Sequence, residues 1–328
     1  MKNIILIVTS SEEPNIKNVT PFLEKMEAKI VRVNNDLLFH DYDPVTFGLV
    51  KNNWMLSIGD ESIYPSDVKS IWYRRPHLPK INESVSPLYQ EFVRNESSKF
   101  SLCAWSMFDY EDVLWVNHPS KLKTLEFNKP YQMFAATRVG LRTPRTLITN
   151  DAQASLNFFD ECHGEVISKL FGGTGFVQDE DNNTLVVYTH RVHRQDIENN
   201  PESMRSVPTV FQEYIPKRLE LRITVVGENI FSCAIYSQDS IRTKDDWRKY
   251  DFANVKHEPF RLPKEVSEKI LQFMKSLGIV FGAIDMILTP DGEYVFLEVN
   301  PSGQWGWIEV LTGLPISESI ANLLMCGV

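Results

Sequence analysis

A hairpin near the carboxyl end constrains the fold of this chain more than any other feature. Residues 283–288 and 294–300 are rich in β-prone side chains, and the short segment between them holds a proline and a glycine, as a tight reversal requires. Folding about this turn brings Asp285 opposite Glu298, and Asn300 shares the face of Glu298 because alternate strand residues point the same way. Two carboxylates and an amide oxygen at one place favour a hard cation such as Mg²⁺. The alternative is that the carboxylates repel each other and turn apart into solvent.

The composition is that of a soluble globular protein with room for two or three packed units. The chain has 328 residues, of which 43% are hydrophobic and 23% charged. A net charge of −9 argues against nucleic acid as a partner, because a general nucleic-acid binder carries a basic surface. The apolar run Ile4–Val8 is too short for a signal peptide, and no run approaches the length of a membrane span. The four cysteines are scattered without a CxxC pair, which favours free thiols in a reducing compartment and hence a cytoplasmic location.

Three parts of the chain differ in their secondary-structure pattern. Residues 1–117 alternate apolar strands with amphipathic helices, which predicts an α/β domain; no GxGxxG motif follows the first strand, so dinucleotide binding has no support. Residues 118–206 combine a helix over 120–138 with strands around a glycine-rich segment, and residues 207–328 hold antiparallel strands with flanking helices. We predict an α+β arrangement for these two parts, with the metal site in the last one.

A glycine-rich segment follows a lysine in the central part. The run Gly172-Gly173-Thr174-Gly175 would let backbone N–H groups approach and surround phosphate oxygens. Lys169 before it, and Lys129 early in a helix, would bring positive charge to a shared cleft. Taken alone, the glycines equally fit an ordinary hairpin turn, and either lysine fits a solvated surface position.

A strand that ends on a proline follows the central part. Glu213-Tyr214-Ile215 precedes this proline, so the strand edge can offer backbone N–H and C=O groups to a purine ring. Glu220 could accept hydrogen bonds from ribose hydroxyls, and Arg222 lies on the same strand face. The alternative is that Glu220 and Arg222 form a surface ion pair that contributes little.

The order of these segments resembles the ATP-grasp superfamily. Each segment is a weak signal by itself, and the match lies in their succession over more than half of the chain. The succession is Asn128-Lys129, Lys169 with the glycine-rich run, Glu213-Tyr214-Ile215, Glu220-Leu221-Arg222, Asp285 and Glu298-Val299-Asn300-Pro301. The resemblance implies an ATP-grasp fold, in which a central and a carboxyl-terminal subdomain with antiparallel sheets clamp ATP.

The resemblance also implies where the nucleotide binds. Lys129 and Lys169 would contact its phosphates, and the loop 172–175 would close over the β and γ phosphates. The segment Glu213-Tyr214-Ile215 would hold the adenine through its backbone, and Glu220 would bind the ribose.

The same resemblance implies the reaction. ATP phosphorylates a carboxylate, and an amine or hydroxyl then attacks the acyl phosphate. The carboxylates of the hairpin, together with Asn300, would bind two Mg²⁺ ions that bridge the phosphates. Arg222 would stabilise the acyl phosphate, assisted by Arg242 or Arg248. Cations that neutralise developing charge supply most of the catalysis in such a reaction.

Within this superfamily the chain looks like the microviridin-type peptide ligases, which make graspetides. The resemblance is carried by Trp72-Tyr73-Arg74-Arg75-Pro76, the run 218–227, the segment 246–248 and the run 300–305. These enzymes join Asp or Glu side chains of a ribosomal precursor peptide, which consists of a leader and an acidic core, to Thr or Ser hydroxyls or to Lys amines. Homodimers are common among them, so a homodimer is one oligomeric state that the analogy offers.

An acidic core peptide requires local cations on an otherwise acidic enzyme. Arg74 and Arg75 are candidates because a guanidinium group matches a carboxylate in two-point contact. An equal alternative is that one of them pairs with an acidic residue of its own domain. In the segment 190–206, which the resemblance assigns to the leader, the candidates are Asp196, Glu198 and Asn199, although a solvated helix face would contain the same residues.

Three other interpretations stay open. The chain could be an ATP-grasp ligase for a small molecule or free peptide, similar to glutathione synthetase, since only the acceptor cleft would differ. It could be a non-catalytic nucleotide-binding module of the synapsin kind, although the intact metal residues and both lysines count against lost activity. Finally, the spacing could be accidental in an unrelated α/β protein, which a nucleotide-binding assay would reveal.

Overall fold

The amino-terminal part of the chain is an α/β domain. The computed structural model describes residues 2–40, 44–171, 175–178, 183–243, 247 and 251–327. The elements of the first part are β1 (Ile4–Thr9), α1 (Ile16–Lys25), β2 (Lys29–Asn34), β3 (Val45–Val50), β4 (Asn53–Ile58), β5 (Glu61–Ile63), β6 (Val68–Tyr73), α2 (Gln90–Ser106) and β7 (Leu114–Val116).

A parallel sheet with the strand order β2-β1-β6-β7 forms the centre of this domain. Strand β1 is apolar and buried along its length: Ile5 and Ile7 pack with α1, while Leu6 and Val8 pack on the side of α2. A parallel strand covered on both faces requires such a continuous hydrophobic run. The separate antiparallel sheet β3-β4-β5 packs on the α2 side. The predicted α/β class of this part is confirmed.

The central part contains short helices and short strands. Its elements are α3 (Pro119–Leu125), α4 (Lys129–Arg138), β8 (Thr146–Thr149), α5 (Ala152–Glu161), β9 (Val166–Lys169), β10 (Gly175–Gln178), β11 (Thr184–Val187), β12 (His190–Arg191), α6 (Arg194–Glu198), α7 (Pro201–Met204) and β13 (Thr209–Glu213).

An antiparallel sheet with the order β12-β9-β13-β8 forms the body of the central part, and β10 pairs with β11 in a second, two-stranded sheet. Strand β13 pairs with both β8 and β9, so a division between residues 206 and 207 separates this strand from the sheet to which it belongs. The helix predicted over 120–138 is in fact two helices. The helical conformation is interrupted at Phe127, which has a φ of 59°. The Asn128 side chain then caps α4 by accepting the N–H of Tyr131.

The carboxyl-terminal part is an antiparallel sheet with helices on both sides. Its elements are β14 (Leu219–Val226), β15 (Asn229–Ile235), β16 (His257–Pro259), α8 (Lys264–Leu277), β17 (Phe281–Leu288), β18 (Tyr294–Asn300), α9 (Gly306–Thr312) and α10 (Ile316–Cys326).

The sheet of this part has the order β16-β15-β14-β17-β18, and every residue of β14 and β17 is buried. One face packs against α8 through residues such as Phe273. Part of the opposite face shares a core with α10, α1 and β1, so the first and last parts of the chain are packed together. The predicted α+β class is confirmed. Within the described residues, no helix combines the length and hydropathy needed to cross a bilayer.

Candidate nucleotide and metal site

The two hairpin carboxylates lie opposite each other because β18 contains a bulge. Leu288 pairs with Tyr294 and Met286 with Phe296, but Asp285 pairs with Glu298, so Leu297 is the extra residue. Without this extra residue the side chain of Glu298 would point to the other face of the sheet. Bulges commonly re-aim side chains beside active sites. The juxtaposition predicted from the hairpin is therefore present.

Each of these carboxylates contacts a basic side chain. The Nζ of Lys129 lies 3.0 Å from Oε2 of Glu298, and Nη1 of Arg222 donates to Oδ1 of Asp285 over 2.9 Å. Arg222 and Asp285 are direct partners on the neighbouring strands β14 and β17. Among the described residues, each carboxylate thus faces a positive group, which answers the objection that the carboxylates should repel each other into solvent.

The oxygen atoms at this place fit Mg²⁺. The described residues contain no cluster of three or more His, Cys, Asp or Glu side chains arranged for a metal, so an ion here would use the two carboxylates and an amide. Asn300 is exposed at the end of β18, and its Oδ1 accepts the N–H of Ser302 over 2.9 Å. Mg²⁺ typically takes one or two carboxylates and completes its shell with water and substrate phosphates.

A cavity between the central and carboxyl-terminal sheets brings together eight of the thirteen residues that were predicted to bind the nucleotide or the metal. Its walls include apolar side chains of both sheets, among them Ile167 and Ile287, with charged groups around them. Such a cavity suits a flat apolar ring that carries a polar group. The predicted residues that line it are Lys129, Lys169, Glu213, Tyr214, Ile215, Glu220, Asp285 and Glu298.

Glu220 is buried at the floor of this cavity, with 4% of its surface exposed. Burial raises the pKa of its carboxyl, and this rise is opposed by Lys217, whose Nζ lies 3.0 Å away, and by the Ser237 hydroxyl, which donates over 2.7 Å. Arg222 is also buried, at 7% exposure. The alternative that Glu220 and Arg222 form a surface pair is therefore wrong.

The end of β13 forms one edge of the cavity. The N–H of Tyr214 donates to the C=O of Glu165 over 2.9 Å, and the Glu213 carboxylate accepts the N–H of Arg145 over 3.1 Å. These bonds hold the strand end in place beside Ile215, which is 3% exposed. A backbone edge fixed in this way suits the predicted contact with a purine.

Sequence reasoning missed several residues that line the cavity. Gln212 and Lys217 flank the segment predicted to hold the adenine, and the sequence pattern of Leu297 indicates only a strand position. Trp247 lies under the Arg222 guanidinium, with 5.8 Å between the Arg222 Cζ and the ring centroid. Gln212 carried a usable signal, since it stands two residues before Tyr214 on a strand whose end was already assigned to the ligand.

Arg74 is not available to a substrate, because only 1% of its surface is exposed. Its Nη1 donates to the C=O groups of Ser302 and Gly303 over 2.8 and 3.0 Å, and its Nη2 donates to Gln304 over 2.9 Å and lies 3.4 Å from Glu13. Burial lowers the pKa of Arg74 to about 10, so the group stays charged at neutral pH. The prediction that Arg74 binds the peptide is wrong, and the alternative of pairing within its own domain is right.

The remaining predicted residues are not among the described residues that line the cavity, or they lie outside the described residues. Arg75 is exposed and has a φ of 47°. In α6, the Asp196 carboxylate accepts the N–H of His193 over 2.8 Å, and Glu198 pairs with Arg194 at 3.2 Å. Asn199 and Arg242 are exposed, and Gly175 begins β10. Outside the described residues lie Gly172, Gly173, Thr174 and Arg248.

Replacing Arg74 with leucine is expected to lower the free energy of unfolding by about 3–5 kcal/mol, because Glu13 and two loop carbonyls lose a buried cationic partner. Urea denaturation measures this loss. The matched control is Arg75→Ala, at the exposed neighbouring position, with an expected change within about 0.5 kcal/mol. Equal small losses in both variants would contradict the buried network.

Two family models match the chain: the MvdD pre-ATP grasp domain over residues 3–123 and the RimK-like ATP-grasp domain over residues 129–324. The structure is similar to that of macrocyclase MdnC from Microcystis aeruginosa MRC bound with precursor peptide MdnA, with 31% identity, coverage of 98% of this chain and 99% of that chain, and a TM-score of 0.81.

A second similar structure is a RiPP-associated ATP-grasp ligase of Chryseobacterium gregarium in complex with ADP and a leader and core peptide. It is 29% identical, the match covers 98% of this chain and 96% of that chain, and the TM-score is 0.87. A curated relative, the tetrahydromethanopterin:alpha-L-glutamate ligase of Methanococcus maripaludis, is 24% identical over 273 residues, which are 79% of this chain and 87% of that protein.

Proposed function

The chain belongs to the RimK-like ATP-grasp ligases, and on that premise we propose that it joins side chains of a ribosomal precursor peptide. In this proposal an Asp or Glu carboxylate of the peptide is phosphorylated by ATP. A Thr or Ser hydroxyl, or a Lys amine, then replaces the phosphate and closes an ω-ester or ω-amide ring.

The observation that carries the proposal is that Lys129, Lys169 and the two carboxylates Asp285 and Glu298 line one cavity.

One oxygen of the substrate carboxylate attacks the γ-phosphorus of ATP, the bond to the bridging oxygen breaks, and ADP leaves. The hydroxyl or amine then attacks the acyl carbon and loses a proton, and phosphate departs. The peptide therefore loses one water for each linkage.

The residues of the chain have distinct parts in these steps. Lys129 and Lys169 bind the phosphates, and the apolar walls take the adenine. Asp285, Glu298 and Asn300 would hold two Mg²⁺ ions, which supply positive charge to the phosphate oxygens. Arg222, which donates to Asp285, would stabilise the charge that develops on the acyl phosphate.

A peptide substrate is supported by the similarity to two ligases whose structures hold peptides, and this similarity covers 98% of the chain in each case. We propose a leader and an acidic core as the two parts of the substrate. Arg75 remains the candidate for a core carboxylate because it is exposed. Asp196 and Glu198, exposed on α6, and Asn199, exposed just after it, remain candidates for the leader.

Mass spectrometry of an acidic precursor peptide tests the proposal. The peptide is incubated with the protein, Mg²⁺ and ATP, and a parallel sample receives a non-hydrolysable ATP analogue. We expect the loss of one water per linkage only with ATP. An unchanged peptide, together with ADP release when glutamate and small amines are supplied, would show a small-molecule ligase of the kind found among the curated relatives. Nucleotide binding without either product would show a binding module.

A further inference from the structure

We propose that Gln212 is a positioning residue that aims Lys169 at the nucleotide phosphates. This inference rests on the proposed function, because it assumes that the cavity binds a nucleotide. Gln212 is 1% exposed and lines the cavity, and its Oε1 accepts a hydrogen bond from Nζ of Lys169 over 2.8 Å.

Strand pairing places the two side chains side by side. Lys169 is the last residue of β9 and pairs with Val210 of β13, while Gln212 lies two residues beyond Val210 and therefore on the same face. A diagonal neighbour across two strands is within reach of a long side chain. Lys169 ends its strand at the edge of the cavity, and the side chain of Gln212 contacts the lysine there.

A hydrogen bond to Thr146 fixes the orientation of the Gln212 amide. Its Nε2 donates to Oγ1 of Thr146 over 2.8 Å, and the Thr146 hydroxyl has the C=O of Pro144 within 3.1 Å as an acceptor. The hydroxyl proton has two acceptors, the C=O of Pro144 and Sδ of Met133 at 3.8 Å, so Oγ1 can accept the hydrogen bond from the amide. A flipped amide would direct an N–H at the Lys169 ammonium, which has only donors. The Gln212 oxygen must therefore face the lysine.

A neutral partner suits a phosphate-binding lysine. A lysine side chain loses about 1.5–2 kcal/mol of rotamer freedom when it is fixed, and a contact made before the ligand arrives removes part of that cost from binding. Gln212 carries no charge, so this contact orients Lys169 without cancelling the charge that a phosphate would meet. Lys129, in contrast, contacts the Glu298 carboxylate.

Calorimetric titration of ADP and of adenosine separates positioning from a general role in the pocket. Gln212→Leu keeps the approximate volume and removes the acceptor, and we expect ADP affinity to fall about tenfold, as for a hydrogen bond to a charged group. Adenosine affinity should stay within about twofold, since adenosine has no phosphate for Lys169 to meet. Thr146→Val should weaken ADP in the same direction but less, and exposed Gln153→Leu should change nothing.

The decisive comparison is a double-mutant cycle with Lys169→Met. If Gln212 acts through Lys169, adding Gln212→Leu to Lys169→Met causes no further loss of ADP affinity. The inference would be overturned if Gln212→Leu lowered ADP affinity equally with and without Lys169, or if it lowered adenosine affinity as much as ADP affinity. Either result would leave the proposed nucleotide site unaffected. Unchanged ADP affinity in Lys169→Met would also overturn it. Failure of the unaltered protein to bind ADP would overturn the proposed function as well.

Discussion

Replacing Glu298 with glutamine is expected to lower ATP-dependent ligation by about 10³-fold, the scale of losing a principal electrostatic group in a phosphoryl-transfer site. The substitution keeps the shape of the side chain but removes one carboxylate of the metal pair and the ion-pair partner of Lys129. The side chain is 23% exposed, so the fold should be retained. The measurement is the rate of ADP release with peptide present, together with thermal unfolding.

Glu293→Gln is the matched control for this variant. Glu293 precedes β18 in the same hairpin and pairs with Arg142 at the surface, where 56% of its side chain is exposed. Its replacement should leave ligation within about twofold, because an exposed ion pair contributes little. Near-normal turnover in Glu298→Gln would remove Glu298 from the metal site.

Replacing Arg222 with lysine is expected to lower ligation about 10²-fold while ADP affinity changes by no more than about threefold, since a lysine cannot reproduce the guanidinium geometry. The Nη1 of Arg222 donates to Asp285, and its Nη2 lies 3.4 Å from the backbone oxygen of Gln304. A lysine keeps the positive charge beside buried Asp285, which limits the loss of stability. Single-turnover assays with peptide and separate ADP titrations measure the two quantities.

The control for Arg222 is Arg218→Lys, at an exposed position just before the same strand. It should leave both quantities unchanged. A parallel fall of ligation and ADP affinity in Arg222→Lys would mean that Arg222 supports nucleotide binding rather than the acyl transfer step.

The hairpin of β17 and β18 is largely predictable from the sequence. Turn residues and β-prone runs place both strands correctly, and the structure pairs Asp285 with Glu298 as expected. A regular hairpin extended from the pair Leu288 and Tyr294 would, however, put Asp285 opposite Leu297. The bulge that corrects this contains Leu297, which packs against the cluster of Ile215, Ile287 and Val295 and lines the cavity. Nothing in the residues of the hairpin itself indicates a bulge. The sequence therefore predicts the pairing of Asp285 with Glu298 but not the bulge that produces it.

Long-range contacts explain what sequence reasoning could not provide. Arg74 looks like an exposed cation in a polar turn, but its partners Glu13 and Ser302 lie 61 and 228 residues away along the chain. Gly303, beside Ser302, comes so close to Arg222 that an added Cβ would lie 2.9 Å from Nη2. Through Arg74, the amino-terminal domain therefore holds the loop that follows β18, a role that no local pattern indicates.

Trapping with hydroxylamine shows whether the cavity activates a carboxylate by phosphorylation. The protein is incubated with ATP, Mg²⁺ and an acidic precursor peptide in the presence of hydroxylamine, which attacks acyl phosphates to give hydroxamates. We expect peptide hydroxamates on Asp or Glu, which together with any rings that close equal the ADP formed, and a rate of formation of both about 10³-fold lower with Glu298→Gln. ADP formation without any hydroxamate, or ring closure without ADP, would contradict such activation.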